Sequence, residues 1–200
     1  MNHNDKEFFG HAITECLKKK IKIVFEHKSF VWADGIKCSG YFDEDDKELW
    51  VATRKPQRDF FPVFVHEFSH FQQWLQSDPV YMKISSARDI DNDMWEWING
   101  KDIPEDRVNK SIQAYQEMEL GCEKRVVEHI EKSGLSIEKN NYIKMANIYV
   151  LFYSLVRETR KWYKTPPYTI KGVLDCIPST FIESFDISDD YRRIILKRCF

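Results

Sequence analysis

Residues 60–76 read FFPVFVHEFSHFQQWLQ, and this stretch decides the fold. At about 100° per residue, its aromatic and aliphatic side chains cover most of a helical circumference, which predicts a largely buried helix. His70 and Gln73 fall within about 40° of His66, so the two histidines share one narrow polar stripe. Buried polar groups need partners, and a metal ion can supply one. The stretch therefore predicts a core helix that carries a candidate metal site.

Within this helix, residues 66–70 follow the HExxH pattern. Histidines at positions i and i+4 project from one face of a helix and can share one ion. The acid between them, Glu67, lies about 100° round the helix from His66, where it can reach a metal-bound water without binding the metal. The pattern favours a zinc hydrolase with Glu67 as general base. The alternative is an ordinary amphipathic helix with two surface histidines.

A third ligand must come from elsewhere, because a catalytic zinc ion usually has three protein ligands and an open position for water. The third histidine of HExxHxxGxxH sites is absent, since Gln73 and Gln76 occupy the glycine and histidine places of that pattern. Cys38 is available as the ligand of a cysteine-ligated HExxH hydrolase, but it lacks the Glu-Gly-Cys context of that class. Carboxylates remain as the other source of a ligand.

Two carboxylates stand out on a second predicted helix, residues 104–133, which Pro104 opens and Gly134 closes. Glu119 falls in the centre of the apolar stripe of this helix, and Glu123 lies about 40° away. Carboxylates on a core-facing stripe are unfavourable unless a cation pairs with them. A salt bridge to a buried Arg or Lys satisfies this requirement, and so does a metal ion shared with the two histidines.

The composition excludes several functional classes. The 200 residues are 42% hydrophobic, and 30 Lys and Arg stand against 32 Asp and Glu, so we expect no nucleic-acid partner. Five cysteines without a CxxC pair favour a reducing compartment, and we expect a cytoplasmic protein. The most apolar run, residues 148–156, is far shorter than the ~20 residues of a membrane span. We therefore expect no membrane association, and nothing in the sequence sets the oligomeric state.

The pattern along the chain predicts an α+β fold. A β-branched run at 21–25 predicts a strand, and two further runs predict a hairpin around an acidic turn, residues 38–42 and 49–53. Residues 80–103 are expected to be largely irregular, with a short helical piece at Met94-Trp95-Glu96-Trp97. Additional helices are predicted over residues 8–20, 136–163 and 188–197.

These elements predict one domain in two parts. Residues 1–134 form a core in which a small N-terminal β-sheet packs on the HExxH helix and the long Glu-bearing helix. Residues 135–200 form a mostly helical C-terminal extension that packs on this core.

His66-Glu67-x-x-His70, followed on a second helix by Glu119-Leu120-Gly121-Cys122-Glu123, resembles the gluzincin class of zinc metallopeptidases. In its small size and motif order, the chain resembles small intracellular or phage-encoded proteins of this class. The class carries HExxH and then ExxxD, and here a glutamate stands where aspartate is usual. The resemblance covers residues 20–133, and residues 135–200 match no pattern that we can name.

The resemblance implies a site and an activity. One Zn²⁺ ion would be held by His66, His70 and Glu119, and Glu67 would be the general base for peptide-bond hydrolysis. Glu123 would support a ligating histidine through its second ring nitrogen. The substrate would be a peptide or a protein.

Two further features follow from the resemblance. Members of the class often add a tyrosine or histidine that donates to the oxyanion, and the candidates here are Tyr115, His129, Tyr163 and Tyr168. The strand before the HExxH helix borders the cleft in this class, and an extended peptide can add to such an edge. The corresponding residues are Leu49, Trp50, Val51 and Ala52. The alternative is that they form an ordinary inner strand.

Two other functions stay open. The first is a catalytically inactive metallopeptidase-like protein that binds or regulates a partner. Retention of Glu67 argues against it, because a purely structural site has no use for that base. The second is a different HExxH hydrolase, such as a deformylase, with Cys38 as the third ligand.

Overall fold

A computed structural model of the protein describes residues 1–33, 35–170 and 172–199. The architecture is α+β, as predicted, with strands confined to the N-terminal region. The α-helices in the described part of the chain are α1 His3–Lys18, α2 Gln57–Leu75, α3 Pro79–Ser85, α4 Arg88–Ile98, α5 Glu105–Ser133, α6 Lys139–Thr159 and α7 Asp189–Arg198. The strands are β1 Lys22–Glu26, β2 Val31–Ala33, β3 Ile36–Cys38, β4 Gly40–Asp43 and β5 Glu48–Ala52.

Contacts between residues divide the chain into two compact units. The N-terminal unit comprises Met1–Asp78 and Arg125–Ile137, and the C-terminal unit comprises Pro79–Lys124 and Glu138–Phe200. Helix α5 therefore contributes its first part to the C-terminal unit and its last turns to the N-terminal unit.

The N-terminal unit contains a three-stranded sheet in the order β1-β5-β4. Strands β4 and β5 pair antiparallel, which confirms the predicted hairpin, and β1 pairs parallel to β5 on its other side. The expectation that residues 49–52 form an edge strand is wrong. Because β1 and β4 both pair with β5, the main chain of Leu49, Trp50, Val51 and Ala52 is enclosed by two neighbours. The edge strands of this sheet are β1 and β4.

Helix α2 forms around its aromatic residues, as the sequence predicts. Phe61, Phe64, Phe68 and Phe71 are almost completely buried, and the ring of Phe68 packs at 5.7 Å from that of Phe8 on α1. Helix α2 also lies against strands β4 and β5. Burial of these rings on all sides fixes the rotation of the helix, and with it the direction of the polar stripe.

Gly40, the first residue of β4, allows a close approach between this strand and α2. A Cβ atom at this position would lie 2.7 Å from the carbonyl oxygen of Trp50, 2.9 Å from Cγ1 of Val63 and 3.0 Å from Cγ of Glu67. No side chain fits there without displacement of its neighbours. The absence of a side chain at Gly40 therefore brings the edge strand directly against Glu67.

We expect Gly40→Ala to lower the free energy of unfolding by about 1–3 kcal/mol, because the added methyl group overpacks a backbone contact. Urea denaturation measures this change. The matched control is Gly10→Ala, since Gly10 lies in α1 with open space around it. That control should be stabilising by up to about 1 kcal/mol through helix propensity. Equal stability of Gly40→Ala and the wild type would contradict the close approach.

The C-terminal unit is built around α6, most of whose residues are buried. The expectation that residues 80–103 are largely irregular is wrong, since they contain α3 and α4. The short helical piece expected at residues 94–97 is confirmed, and it lies within α4. In α4, Asp93 is buried, and Arg107 binds it through two hydrogen bonds of 2.6 and 2.8 Å. None of the helices in the described part of the chain combines the length and the apolar character that crossing a membrane requires.

Candidate metal centre

The two histidines of α2 turn their Nε2 atoms toward each other. The Nε2 atoms of His66 and His70 are 3.1 Å apart. The Nδ1 atom of His70 lies 2.9 Å from the side-chain oxygen of Gln73, which can only accept a hydrogen bond. Nδ1 of His70 therefore carries the proton, and its Nε2 presents a lone pair to His66.

This geometry fits a shared zinc ion. Zinc–nitrogen distances of about 2.0–2.1 Å in a tetrahedral site place two ligating nitrogens about 3.3 Å apart. The observed separation of 3.1 Å is close to that value. His70 is buried and His66 is half-buried, so solvent reaches the pair on the side of His66. The two imidazoles are therefore close enough together to be candidate ligands of one ion.

Gln73 orients His70 and is completely buried. The sequence analysis placed Gln73 on the polar stripe but assigned it no function. Its position three residues after His70, on the same helix face, was the feature that could have indicated a contact. Holding the second nitrogen of a ligating histidine fixes the tautomer and the ring orientation. Gln73 therefore does for His70 what the resemblance assigned to Glu123. The prediction that Glu123 supports a histidine stays a prediction.

We expect Gln73→Leu to weaken zinc binding by about 10–100-fold, because the imidazole of His70 loses the acceptor that fixes its tautomer. Competition with a chromogenic chelator measures the affinity. Gln76→Leu is the control, since Gln76 lies three residues further along, is exposed and accepts a hydrogen bond from Arg125. Equal zinc affinity in the two variants would contradict this function of Gln73.

Glu67 is buried at the junction of α2 with β3 and β4. Burial, together with the negative charge of Glu67, raises the pKa of the Cys38 thiol to about 12. The Cys38 sulfur lies 3.9 Å from the carbonyl oxygen of Val31, to which it donates. A protonated thiol committed to a backbone carbonyl is a poor metal ligand, which weighs against the deformylase-like alternative.

The two carboxylates of α5 are buried in the C-terminal unit, where tyrosines donate to them. Oε1 of Glu119 accepts hydrogen bonds from the hydroxyls of Tyr149 at 3.3 Å and Tyr153 at 3.4 Å. Glu123 accepts a short hydrogen bond from Tyr142. Burial and the charge of Glu119 hold the pKa of Tyr149 and Tyr153 well above 10, so both phenols stay protonated donors. The sequence reading missed these tyrosines because α6 reads as a core helix.

Two of the predicted oxyanion donors have other partners. The hydroxyl of Tyr115 donates to Asp91 at 2.6 Å and accepts from Nε1 of Trp95 at 2.9 Å. Nε2 of His129 donates to the side-chain oxygen of Gln72 at 2.7 Å. Burial, helped by nearby Arg125, lowers the pKa of His129 to about 4, so this histidine is neutral at pH 7.

The other two candidates belong to the C-terminal unit. Tyr168 lies in the 3₁₀ turn Pro167–Thr169, and its ring packs 6.3 Å from that of Tyr149, which binds Glu119. The ring of Tyr163 packs against Trp162. The structure thus brings Tyr168 next to a residue that contacts Glu119. Its function as an oxyanion donor stays a prediction.

Comparison of the chain with protein-family models, with curated proteins and with solved structures found no match. We therefore infer its function from its own side chains and from the resemblance of its motifs.

Proposed function

We propose that the protein is a zinc-dependent metallopeptidase. His66, His70 and Glu119 would hold one Zn²⁺ ion, and Glu67 would act as the general base. The observation that carries the proposal is the convergence of two imidazole nitrogens at 3.1 Å, with the tautomer of His70 fixed by a buried glutamine. In an ordinary amphipathic helix with two surface histidines, we would expect neither the close approach of the two nitrogens nor the buried glutamine that orients His70.

Peptide-bond hydrolysis at this site would use the metal ion, Glu67 and Gln73. When bound, the ion supplies a water of lowered pKa and polarises the scissile carbonyl. Glu67 would accept a proton from the attacking water and pass it to the leaving amine. Its burial beside Gly40 keeps bulk water away from the carboxylate during the transfer. Gln73 keeps the unprotonated Nε2 of His70 available as a ligand.

Substrate would bind at strand β4 rather than at β5. Strand β4 lies at the edge of the sheet, and its first residue, Gly40, lies directly against Glu67. An extended peptide can pair with such an edge through main-chain hydrogen bonds, which suits substrates of varied sequence. The proposed substrate is therefore an extended segment of a peptide or protein.

The third ligand has one alternative. Glu119 is the ligand that the resemblance implies, and it is a carboxylate buried on α5. Among the residues that the structure describes, His66, His70 and Cys122 are the set of histidine, cysteine and acidic side chains able to hold one ion. Cys122 lies on the same helix, three residues after Glu119, and enters the proposal as the competing ligand.

Removal and restoration of zinc tests the proposed function. The purified full chain is loaded with one equivalent of Zn²⁺ and assayed on fluorogenic peptides and on an unfolded protein. We expect hydrolysis that a chelator abolishes and added Zn²⁺ restores. Zinc binding without hydrolysis would overturn the peptidase and support the inactive binding protein. Hydrolysis restricted to N-formyl peptides, with loss of zinc in Cys38→Ala, would support the deformylase instead.

A further inference from the structure

Helix α6 presents three tyrosines to the two buried carboxylates of α5. Tyr142, Tyr149 and Tyr153 are spaced by seven and four residues, so they lie on one face of the helix. Tyr142 donates to Glu123, and the other two donate to the same oxygen of Glu119. The hydroxyl oxygens of Tyr149 and Tyr153 also lie 3.2 Å apart, so the two phenols meet at one side of this carboxylate.

Because the donors are phenols, they bring no positive charge to the two carboxylates. An Arg or Lys at these positions would neutralise the carboxylates and compete with any cation that approaches them. A neutral hydroxyl can orient a carboxylate through a hydrogen bond without supplying a positive charge of its own. Glu119 is only 5% exposed, and a carboxylate in such surroundings attracts a cation more strongly than one in water.

We propose that Tyr149 and Tyr153 are positioning residues for the metal ligand Glu119, and that Tyr142 does the same for Glu123. This inference rests on the proposed function, because it requires Glu119 to be a zinc ligand. It assigns a function to a helix of the C-terminal extension, a part of the chain that the resemblance does not cover. In this proposal α6 completes the metal centre without binding the ion.

The test is zinc affinity in Tyr149→Phe/Tyr153→Phe, which removes both hydroxyls from Glu119 and keeps both rings. We expect the dissociation constant for zinc to rise by about 10–100-fold, as for loss of other groups that orient a ligand. Chelator competition gives the affinity, and circular dichroism confirms that the variant is folded. If the double variant does not fold, Tyr149→Phe alone is used, because Tyr149 is half-buried.

Tyr191→Phe separates positioning from stability. Tyr191 is completely buried, and its hydroxyl donates to the carbonyl oxygen of Ile148 on α6 at 2.7 Å. Its loss should lower the melting temperature and leave zinc affinity unchanged. An equal loss of zinc affinity in this control would overturn the proposal, since the effect would then come from a destabilised helix.

Glu119→Ala distinguishes failure of this inference from failure of the proposed ligand set. If Glu119→Ala weakens zinc binding and the double tyrosine variant binds zinc like the wild type, the positioning role is overturned and the ligand set stands. If neither variant changes zinc affinity, Glu119 is not a ligand, so the ligand set of His66, His70 and Glu119 fails and the positioning role fails with it. Weaker binding in both variants, with Tyr191→Phe unaffected, supports both.

Discussion

Glu67→Gln is expected to lower kcat by about 10²–10⁴-fold and to leave one zinc ion bound, because general base catalysis contributes about that factor. Glutamine has nearly the same shape as glutamate, so the contact with Gly40 that packs α2 against β4 survives. The amide cannot accept the proton of the attacking water at neutral pH. Because Glu67 is proposed to contact the water and not the metal, zinc affinity should stay within a few-fold of the wild type.

Turnover of a fluorogenic peptide and zinc content by elemental analysis measure these two properties on the same preparation. Glu128→Gln is the control, since Glu128 is an exposed glutamate paired with Lys132 on α5. This variant should match the wild type in both measurements. Full turnover in Glu67→Gln would rule out the general base, and loss of its zinc would mean that Glu67 contributes to the metal site itself.

The local parts of the fold could be predicted from the sequence because helices and hairpins are set by neighbouring residues. The aromatic period of α2 and the apolar stripe of α5 predicted helices that end close to the observed Leu75 and Ser133. The parallel pairing of β1 with β5 could not be predicted. It joins strands more than twenty residues apart, and nothing local in either strand specifies that partner.

In the candidate site, too, the local features could be predicted from the sequence and the long-range contacts could not. HExxH spacing predicted which face of α2 carries His66 and His70, because i and i+4 residues lie on one face of any helix. The sequence predicted that Gln73 lies on the polar stripe. It could not predict the hydrogen bond between Gln73 and His70, because that contact depends on side-chain rotamers. The tyrosines of α6 were not visible at all. Tyr149 and Tyr153 meet Glu119 only through tertiary packing.

Glu119→Ala is expected to weaken zinc binding by more than about 100-fold and to abolish hydrolysis, because loss of a ligand exceeds the 10–100-fold effect of losing an orienting group. A His₂Glu set is one of the arrangements that catalytic zinc sites use, and it leaves the fourth position to water. Cys122→Ala should keep zinc and activity if Glu119 is the ligand. Chelator competition and peptide turnover measure both variants, and Glu117→Ala, which removes an acid paired with Lys83, is the control.

Cobalt(II) gives an independent measurement, because a thiolate ligand adds a charge-transfer absorption in the near ultraviolet that a carboxylate does not. We expect the cobalt-substituted wild type to lack this absorption, and Cys122→Ala to leave its spectrum unchanged. If the absorption is present and disappears in Cys122→Ala, while Glu119→Ala keeps its metal, then the ligands are His66, His70 and Cys122. A His₂Cys set would remove Glu119 from the metal, so the gluzincin-like motif would no longer describe the site. Glu67 would still be placed to take a proton, because its position depends on α2 and Gly40 and not on the third ligand.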